Sequence, residues 1–427
     1  MKPILNLCTI YCCLFLFQIS GYAQQESLLP KMRPEAAGMS SSRLAYLDTM
    51  ALGALAQKQV PGMVALVARN GKIVYHKAFG AANAAGEPLD LNSIFRIASQ
   101  TKAITSTAVM MLWERGKFQL DDPISKYIPE FKDAQVLDSL LPDGSYTTKP
   151  AARPITIRHL LTHTSGIGYG AIDGDPRFKK IYKEAGITDL FTTEKITIEE
   201  SVKKLAKLPL HHNPGENFTY SEGLDVLGYF IEIISGKPLD EFFRTEIFEP
   251  LKMNNTFFYL PKEKRDLLVS VQTKKEGDWI DFPTTFYDPD YPKKGKMTFF
   301  SGGAGLSSTP VDYAQFLQTY LNKGILNGNR ILSRTTVDFI LKNQIGDIWK
   351  GNGSHHGLAF SVVDDLGAAK GGNGSAGTFE WGGYFNTQYF ADPEEQLIGI
   401  IMKQTQQVGG DETSWKFRNI VFAAIAD

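Results

Sequence analysis

The sequence predicts an α+β fold: one antiparallel sheet built from both termini and flanked by helices, with a mostly helical lobe inserted between its halves. Three observations predict it. Strand-like runs lie near the start, at 63–67 and 72–79, and return near the end, at 358–363, 378–381, 386–391 and 396–402. From 93 to about 295, helical patterns and irregular stretches dominate. Strands at both ends with helices between are satisfied most simply by a single sheet closed by the two termini. The expected division is 1–23 as a signal peptide, 24–95 together with 296–427 as the sheet domain, and 96–295 as the helical domain, with a site between the two.

The elements follow in order. Residues 24–38 read as a polar lead-in. Ser42 can cap a helix reaching about Gln57, with Leu44, Leu47, Ala51 and Leu55 on one face. Asn70-Gly71 separates the first two strands, and Asn-Gly tolerates the positive φ angles of a two-residue hairpin loop. The run 103–113 is a long apolar helix ending near Gly116. A short helix or turn follows at 124–127, and 130–154, rich in Pro and Gly, is expected to be irregular. A short capped helix and a turn occupy 155–166, an amphipathic helix 197–207, and a further helix 220–235 closed by Gly236. Gly302-Gly303-Ala304-Gly305 is a tight turn. Thr309 or Asp312 caps a helix through Leu321, and another runs from Ser333 to about Lys342. Asp392-Pro393-Glu394-Glu395 joins the last two strands as a hairpin. A closing amphipathic helix covers 413–424, with Trp415, Ile420 and Phe422 among its apolar residues.

Composition removes several classes. The 427 residues carry 45 Lys and Arg against 46 Asp and Glu, a net charge of −1. No basic field suits nucleic acid. Lys2, the apolar run 4–17 and the small-residue site at Gly21-Tyr22-Ala23 have the pattern of a secretory signal peptide, so a secreted or periplasmic protein is expected. All three cysteines, Cys8, Cys12 and Cys13, lie inside that leader. The remainder offers no thiol nucleophile, no disulfide and no Cys-ligated metal. No later stretch is apolar enough to span a bilayer.

The chemistry centres on Ser99-Gln100-Thr101-Lys102. Positions three apart share a helix face, so the Ser99 hydroxyl and the Lys102 ammonium can meet. A serine at the first turn also faces unpaired N–H groups and the positive end of the helix dipole. A Ser hydroxyl is a weak nucleophile until a neighbouring base takes its proton, and a buried lysine is one candidate base. Ser-x-x-Lys alone is common; about one or two chance matches are expected in such a chain. Ser201-Val202-Lys203-Lys204 is one, read as an ordinary amphipathic helix with solvated lysines.

Further motifs set the Ser99 copy apart. Tyr220-Ser221-Glu222 follows Asn213-Pro214-Gly215, and Trp381-Gly382-Gly383 lies on a late strand. Two phrases flank them: Leu160-Leu161-Thr162-His163-Thr164-Ser165-Gly166, and Gly302-Gly303-Ala304-Gly305-Leu306 with Ser308. In this order the motifs resemble the serine β-lactamase-like superfamily, which includes class C β-lactamases, D-alanyl-D-alanine peptidases and esterases of the same fold. The resemblance runs from about Glu35 to the end. It implies Ser99 as the nucleophile of an acyl-enzyme and Lys102 with Tyr220 as the proton-transfer pair. It implies an oxyanion hole from the Ser99 and Tyr384 backbone N–H groups, and substrate contacts along Trp381, Gly382 and Gly383. No cofactor is implied, and the partner is a small-molecule ester or amide.

Departures from the family pattern bear on substrate. Where β-lactamases and peptidases carry a cation to meet the substrate carboxylate, this chain has the uncharged Trp381. Where they carry Asn, it has Glu222, an anion that suits either a solvated loop or a contact with cationic substrate. Trp-Gly-Gly resembles the esterase branch most, so a secreted carboxylesterase is expected. The alternatives are a D-alanyl peptidase, a D-aminopeptidase or a β-lactamase, and a non-catalytic binding protein of the same fold. Gly372-Asn373-Gly374-Ser375-Ala376-Gly377 spells GxGxxG but precedes a strand, the wrong context for dinucleotides. No G-x-S-x-G elbow is present. His159 and His163 lack an evident third metal ligand, and His163 is expected to hold its loop by hydrogen bonds.

Overall fold

The computed structural model describes residues 28–372 and 374–427; the leader expected at 1–23 lies outside them. Segments from both ends of the chain form the strands β1 (Gly62–Arg69), β2 (Lys72–Gly80), β3 (Ser354–His356), β4 (Ser361–Val363), β5 (Phe379–Gly383), β6 (Thr387–Asp392) and β7 (Leu397–Met402). They make one antiparallel sheet in the order β3-β4-β5-β6-β7-β1-β2. The termini meet where Val64 stands opposite Met402 and Arg69 opposite Leu397.

Every residue of β1 is buried, because both sheet faces are covered. Val64, Leu66 and Ala68 enter the larger core, and Met63, Ala65 and Val67 enter the smaller one, the period-two alternation of a strand. The helices that matter are α1 (Tyr46–Ala56), α2 (Thr101–Glu114), α3 (Gly223–Ser235), α4 (Pro310–Leu321) and α5 (Thr413–Ala423). α1 and α5 supply Leu47, Ala51, Phe417 and Val421 to the smaller core on the outer face. α2, α3 and α4 belong to the larger core on the inner face. No helix among the described residues is long and apolar enough to cross a membrane.

Local rules explain the boundaries. Asn70 and Gly71 take φ of 52° and 71°, the two-residue loop their sequence favours. Gly236 ends α3 in the left-handed conformation, and Thr309 caps α4 by accepting the Asp312 N–H. Asp392 Oδ1 accepts the Glu394 and Glu395 N–H groups in the expected last turn.

Several expectations are corrected. Residues 130–154 contain a hairpin, Gln135–Leu140 with Tyr146–Pro150, whose second strand is exposed throughout and therefore lacks apolar alternation. A second polar hairpin, Gln272–Lys275 with Asp278–Asp281, lies in the region where helices and irregular stretches were expected to dominate; Glu276 and Gly277 make its left-handed loop. The first helix is two pieces, Ser41–Leu44 capped by Ser40, then α1. α3 starts at Gly223 and leaves Tyr220 in the preceding loop. On α5, Phe417 and Val421 face the sheet, while Trp415 is 55 % exposed.

Candidate active site

The serine sits just ahead of α2. Phe95 and Arg96 pair with Ser308 and Ser307, and the Ile97 N–H donates to Leu306 O at 3.0 Å. The chain then passes through the 3-10 turn Ala98–Gln100 into α2. Ala98 takes φ 41°, a left-handed conformation costing a non-glycine residue about 1–3 kcal/mol. Packing with Tyr169, Ala304 and Phe385 holds it there. The sharp turn leaves Ser99 half-buried, lining a cleft of about 710 Å³.

Lys102, one turn on, is 4 % exposed. Its ammonium donates to Ser99 Oγ at 3.3 Å, to the Tyr169 hydroxyl at 2.9 Å and to Gly303 O at 2.8 Å. Three donors thus meet three acceptors, which burial of an ammonium demands. Nζ also lies 4.6 Å from the centre of the Tyr220 ring, a cation–π distance. Tyr220 is packed between His163 and Tyr169, at 4.8 and 5.5 Å between ring centres, and Trp381 Nε1 approaches its hydroxyl at 3.5 Å. His163 bonds Ser221 Oγ through Nδ1 at 3.1 Å, holding the Tyr220 loop as its position suggested. Burial, then His356 and Lys102, push the His163 imidazole well below its usual range.

The wall opposite is the end of β5. A β-carbon on Gly383 would stand 2.4 Å from Ile97 O and 2.3 Å from Thr387 Oγ1. Only glycine lets this strand close on the turn before Ser99. Ser99, Gly383 and Tyr384 line the same cleft, and the backbone N–H groups of Ser99 and Tyr384 have no hydrogen-bond partner among the described residues. Trp381 and Gly382 line the cleft too, so the β5 residues singled out in the sequence come together with Ser99 and Tyr220.

Glu222 is different. Neither a solvated loop residue nor part of the cleft lining, it is buried at 2 % exposure, and its Oε1 has no partner. Burial, then the Asp189 carboxyl, push its own carboxyl well above the usual range. Asp225, which the sequence did not single out, is buried on the next turn and raised by that burial. Its Oδ1 accepts from Ser301 Oγ at 2.7 Å and from the Gly303 N–H at 3.0 Å, anchoring the residue whose carbonyl receives Lys102. Tyr169 was also missed, although it lies three residues beyond the Thr164-Ser165-Gly166 phrase. The segment 405–411, which supplies much of the cleft wall, carried no sequence signal at all.

A half-buried hydroxyl, a buried ammonium on it, a phenol over that ammonium and a glycine-bared strand with two unpaired N–H groups can do one kind of chemistry. They define a serine hydrolase. The chain belongs to the β-lactamase family, whose family model, described as Beta-lactamase, matches residues 47–422. It is 32 % identical over 392 residues to esterase EstB of Burkholderia gladioli, covering 87 % of this chain and 92 % of EstB. It is 29 % identical over 393 residues to lovastatin esterase of Penicillium rubens, covering 86 % of this chain and 94 % of that enzyme. Among solved structures, EstCE1, described as a hydrolase with promiscuous acyltransferase activity, matches with a TM-score of 0.76 at 27 % identity, over 89 % of this chain and 98 % of EstCE1.

Proposed function

We propose that this protein is an exported carboxylesterase that works through an acyl-enzyme on Ser99. The observation that carries the reading is the contact of Lys102 Nζ with Ser99 Oγ at 3.3 Å beneath the Tyr220 ring, in a cleft where an uncharged Trp381 replaces a cation. Ser99 Oγ attacks the ester carbonyl, and its proton passes to the Lys102–Tyr220 pair. The Ser99 and Tyr384 N–H groups receive the developing oxyanion; removing one such donor typically costs about 3 kcal/mol. The alcohol leaves with the proton, and water, deprotonated by the same pair, releases the acid. Without a cation at position 381 a carboxylate-bearing β-lactam has no counter-charge there, which favours neutral esters. The esterase relatives support the same choice. Export rests on the leader pattern at 1–23.

The test compares the wild type with Ser99→Ala on short p-nitrophenyl esters, a chromogenic cephalosporin and D-alanyl peptides. Ester turnover that disappears in the variant supports the reading. Turnover of amides alone supports a peptidase or β-lactamase, and absence of acylation by a phosphonate probe rejects catalysis at Ser99. Export predicts a mature N-terminus near Gln24 in the secreted fraction.

A further inference from the structure

The register of β5 with β6 opens a way out of the cleft. Gly382 stands opposite Gln388, and Glu380 opposite Phe390. Directly paired residues on neighbouring strands share a sheet face, so Glu380, Gly382, Gln388 and Phe390 all point outward, toward α5. Gly382 has no side chain, and a β-carbon there would sit 3.3 Å from Thr387 O and 3.7 Å from Gln388 Cγ. The result is a notch. Beyond it lies a groove of about 440 Å³ between α5 and the outer sheet face, and Trp381, Gly382, Gln388 and Ser414 line both this groove and the catalytic cleft.

The groove has a distinct chemistry. Its floor is aromatic and aliphatic, from Phe390, Ile401 and Phe417. Its edges are polar: Ser361, Ser414, the Gln388 carboxamide and the Glu380–Arg418 ion pair. Gln388 makes no side-chain hydrogen bond among the described residues. At the rim stands Trp415, 55 % exposed on a helix whose other large apolar side chains turn inward. The Lys416 ammonium lies 5.5 Å from its ring centre. The indole offers a broad, rigid apolar face to a ligand that enters the groove. A fatty chain calls for an enclosed apolar slot, and this groove has hydrogen-bonding groups along its edges.

We propose that this groove is a second subsite that takes a hydroxylated ring, the sugar unit of an acylated carbohydrate. The apolar C–H face of the ring stacks on Trp415, and its hydroxyls bond Gln388 and the two serines. The ester carbonyl then reaches Ser99 over Gly382. This deepens the esterase reading and rests on it.

The test separates the two. Wild type, Trp415→Ala and Trp415→Phe are assayed on xylose tetraacetate, cyclohexyl acetate and p-nitrophenyl acetate. Methyl β-xyloside is titrated onto Ser99→Ala, with and without Trp415→Ala, by ligand-observed NMR. Expected are a kcat/KM for the sugar ester above that for cyclohexyl acetate, and a loss of about three- to tenfold in Trp415→Ala, carried by KM. Trp415→Phe restores most of it, p-nitrophenyl acetate is unaffected, and xyloside binding depends on Trp415. Equal use of the sugar and cyclohexyl esters, or losses in Trp415→Ala common to all three esters, overturns the subsite. So does xyloside binding indifferent to Trp415. Failure to hydrolyse any ester, with xyloside binding intact, instead overturns the esterase reading and leaves the subsite standing.

Discussion

Tyr169 shows how much of a site can hide beside a legible motif. Ser99, Lys102, Tyr220 and the β5 glycines could be read because their chemistry is tied to short spacings. Tyr169 and Asp225 could not, since each matters only once three loops converge on the Lys102 ammonium. The Tyr169 hydroxyl accepts one of the three Lys102 N–H groups at 2.9 Å, and burial holds its own proton on well above the usual range. Tyr169→Phe therefore leaves a buried charged donor unmatched, at about 1–3 kcal/mol. The expected result is a fall of about tenfold in kcat on p-nitrophenyl acetate with KM nearly unchanged; steady-state kinetics check it, and an unaltered kcat counts against the role. Glu222 makes the converse case. Read as a possible substrate contact, it is a buried carboxyl whose surroundings favour the neutral acid, the form glutamine imitates. Glu222→Gln should change stability by less than about 1 kcal/mol, whereas Glu222→Ala opens a void and should lose about 2 kcal/mol or more. Urea unfolding of both variants decides, and a large loss in the glutamine variant would show that the charge itself is needed.

At the level of elements, what could be read in advance depended on apolar alternation and capping. β1, β2, β6 and β7 and the helices α2 and α4 announce themselves as apolar runs bounded by turn or cap residues. The hairpins at 135–150 and 272–281 do not, because Tyr146–Pro150 is exposed throughout and the strands of the second are four residues each and mostly polar. The segment between β7 and α5 is the most instructive. It has neither period nor motif, yet it forms a wall of the cleft, and one buried ion pair organises it. Lys403 is fully buried and donates to Asp411 Oδ2 at 2.5 Å, to Thr413 Oγ1 at 2.9 Å and to Ser414 Oγ at 3.0 Å. Asp411 also accepts from Asn386 Nδ2 at 2.9 Å, tying the segment to the turn after Tyr384. Removing one partner of such a pair strands the other charge, at about 3–5 kcal/mol, while replacing both by apolar residues is far milder. Lys403→Met should lower the urea midpoint accordingly, and Lys403→Met with Asp411→Leu should recover half or more of the loss. Equal stability of the single and double variants would show that the pair is not coupled.

The whole molecule is closed by pairing between its two ends, with residue 64 lying opposite residue 402 in the sheet. That closure was legible, since strands at both ends with none placed between leave few other arrangements. The cost of closing it on buried titratable groups was not, because burial depends on the finished packing. Burial lowers the imidazoles of His76, His159 and His356 each to about 4. Below about pH 6.5 the unfolded chain takes up protons that these folded imidazoles refuse, so their contribution to stability is complete above that pH and is lost as pH falls toward 4. Asp312 acts in the opposite sense: burial raises it to about 6, so acidification through that range favours the folded state. The measured profile sums these with the other shifted groups, His163, Glu222 and Asp225 among them, and a single substitution is needed to isolate one. His356 is the suitable position, being 3 % exposed, with Nδ1 donating to Gly357 O at 2.7 Å, a bond the amide of asparagine can imitate. Its shift corresponds to about 3 kcal/mol between pH 4 and 6.5. The stability of the wild type minus that of His356→Asn should therefore rise by up to about that amount over this window and stay level above pH 7. Urea unfolding of both proteins from pH 4.5 to 7.5 measures it, and parallel profiles would show that this imidazole does not set the acid limit of the fold.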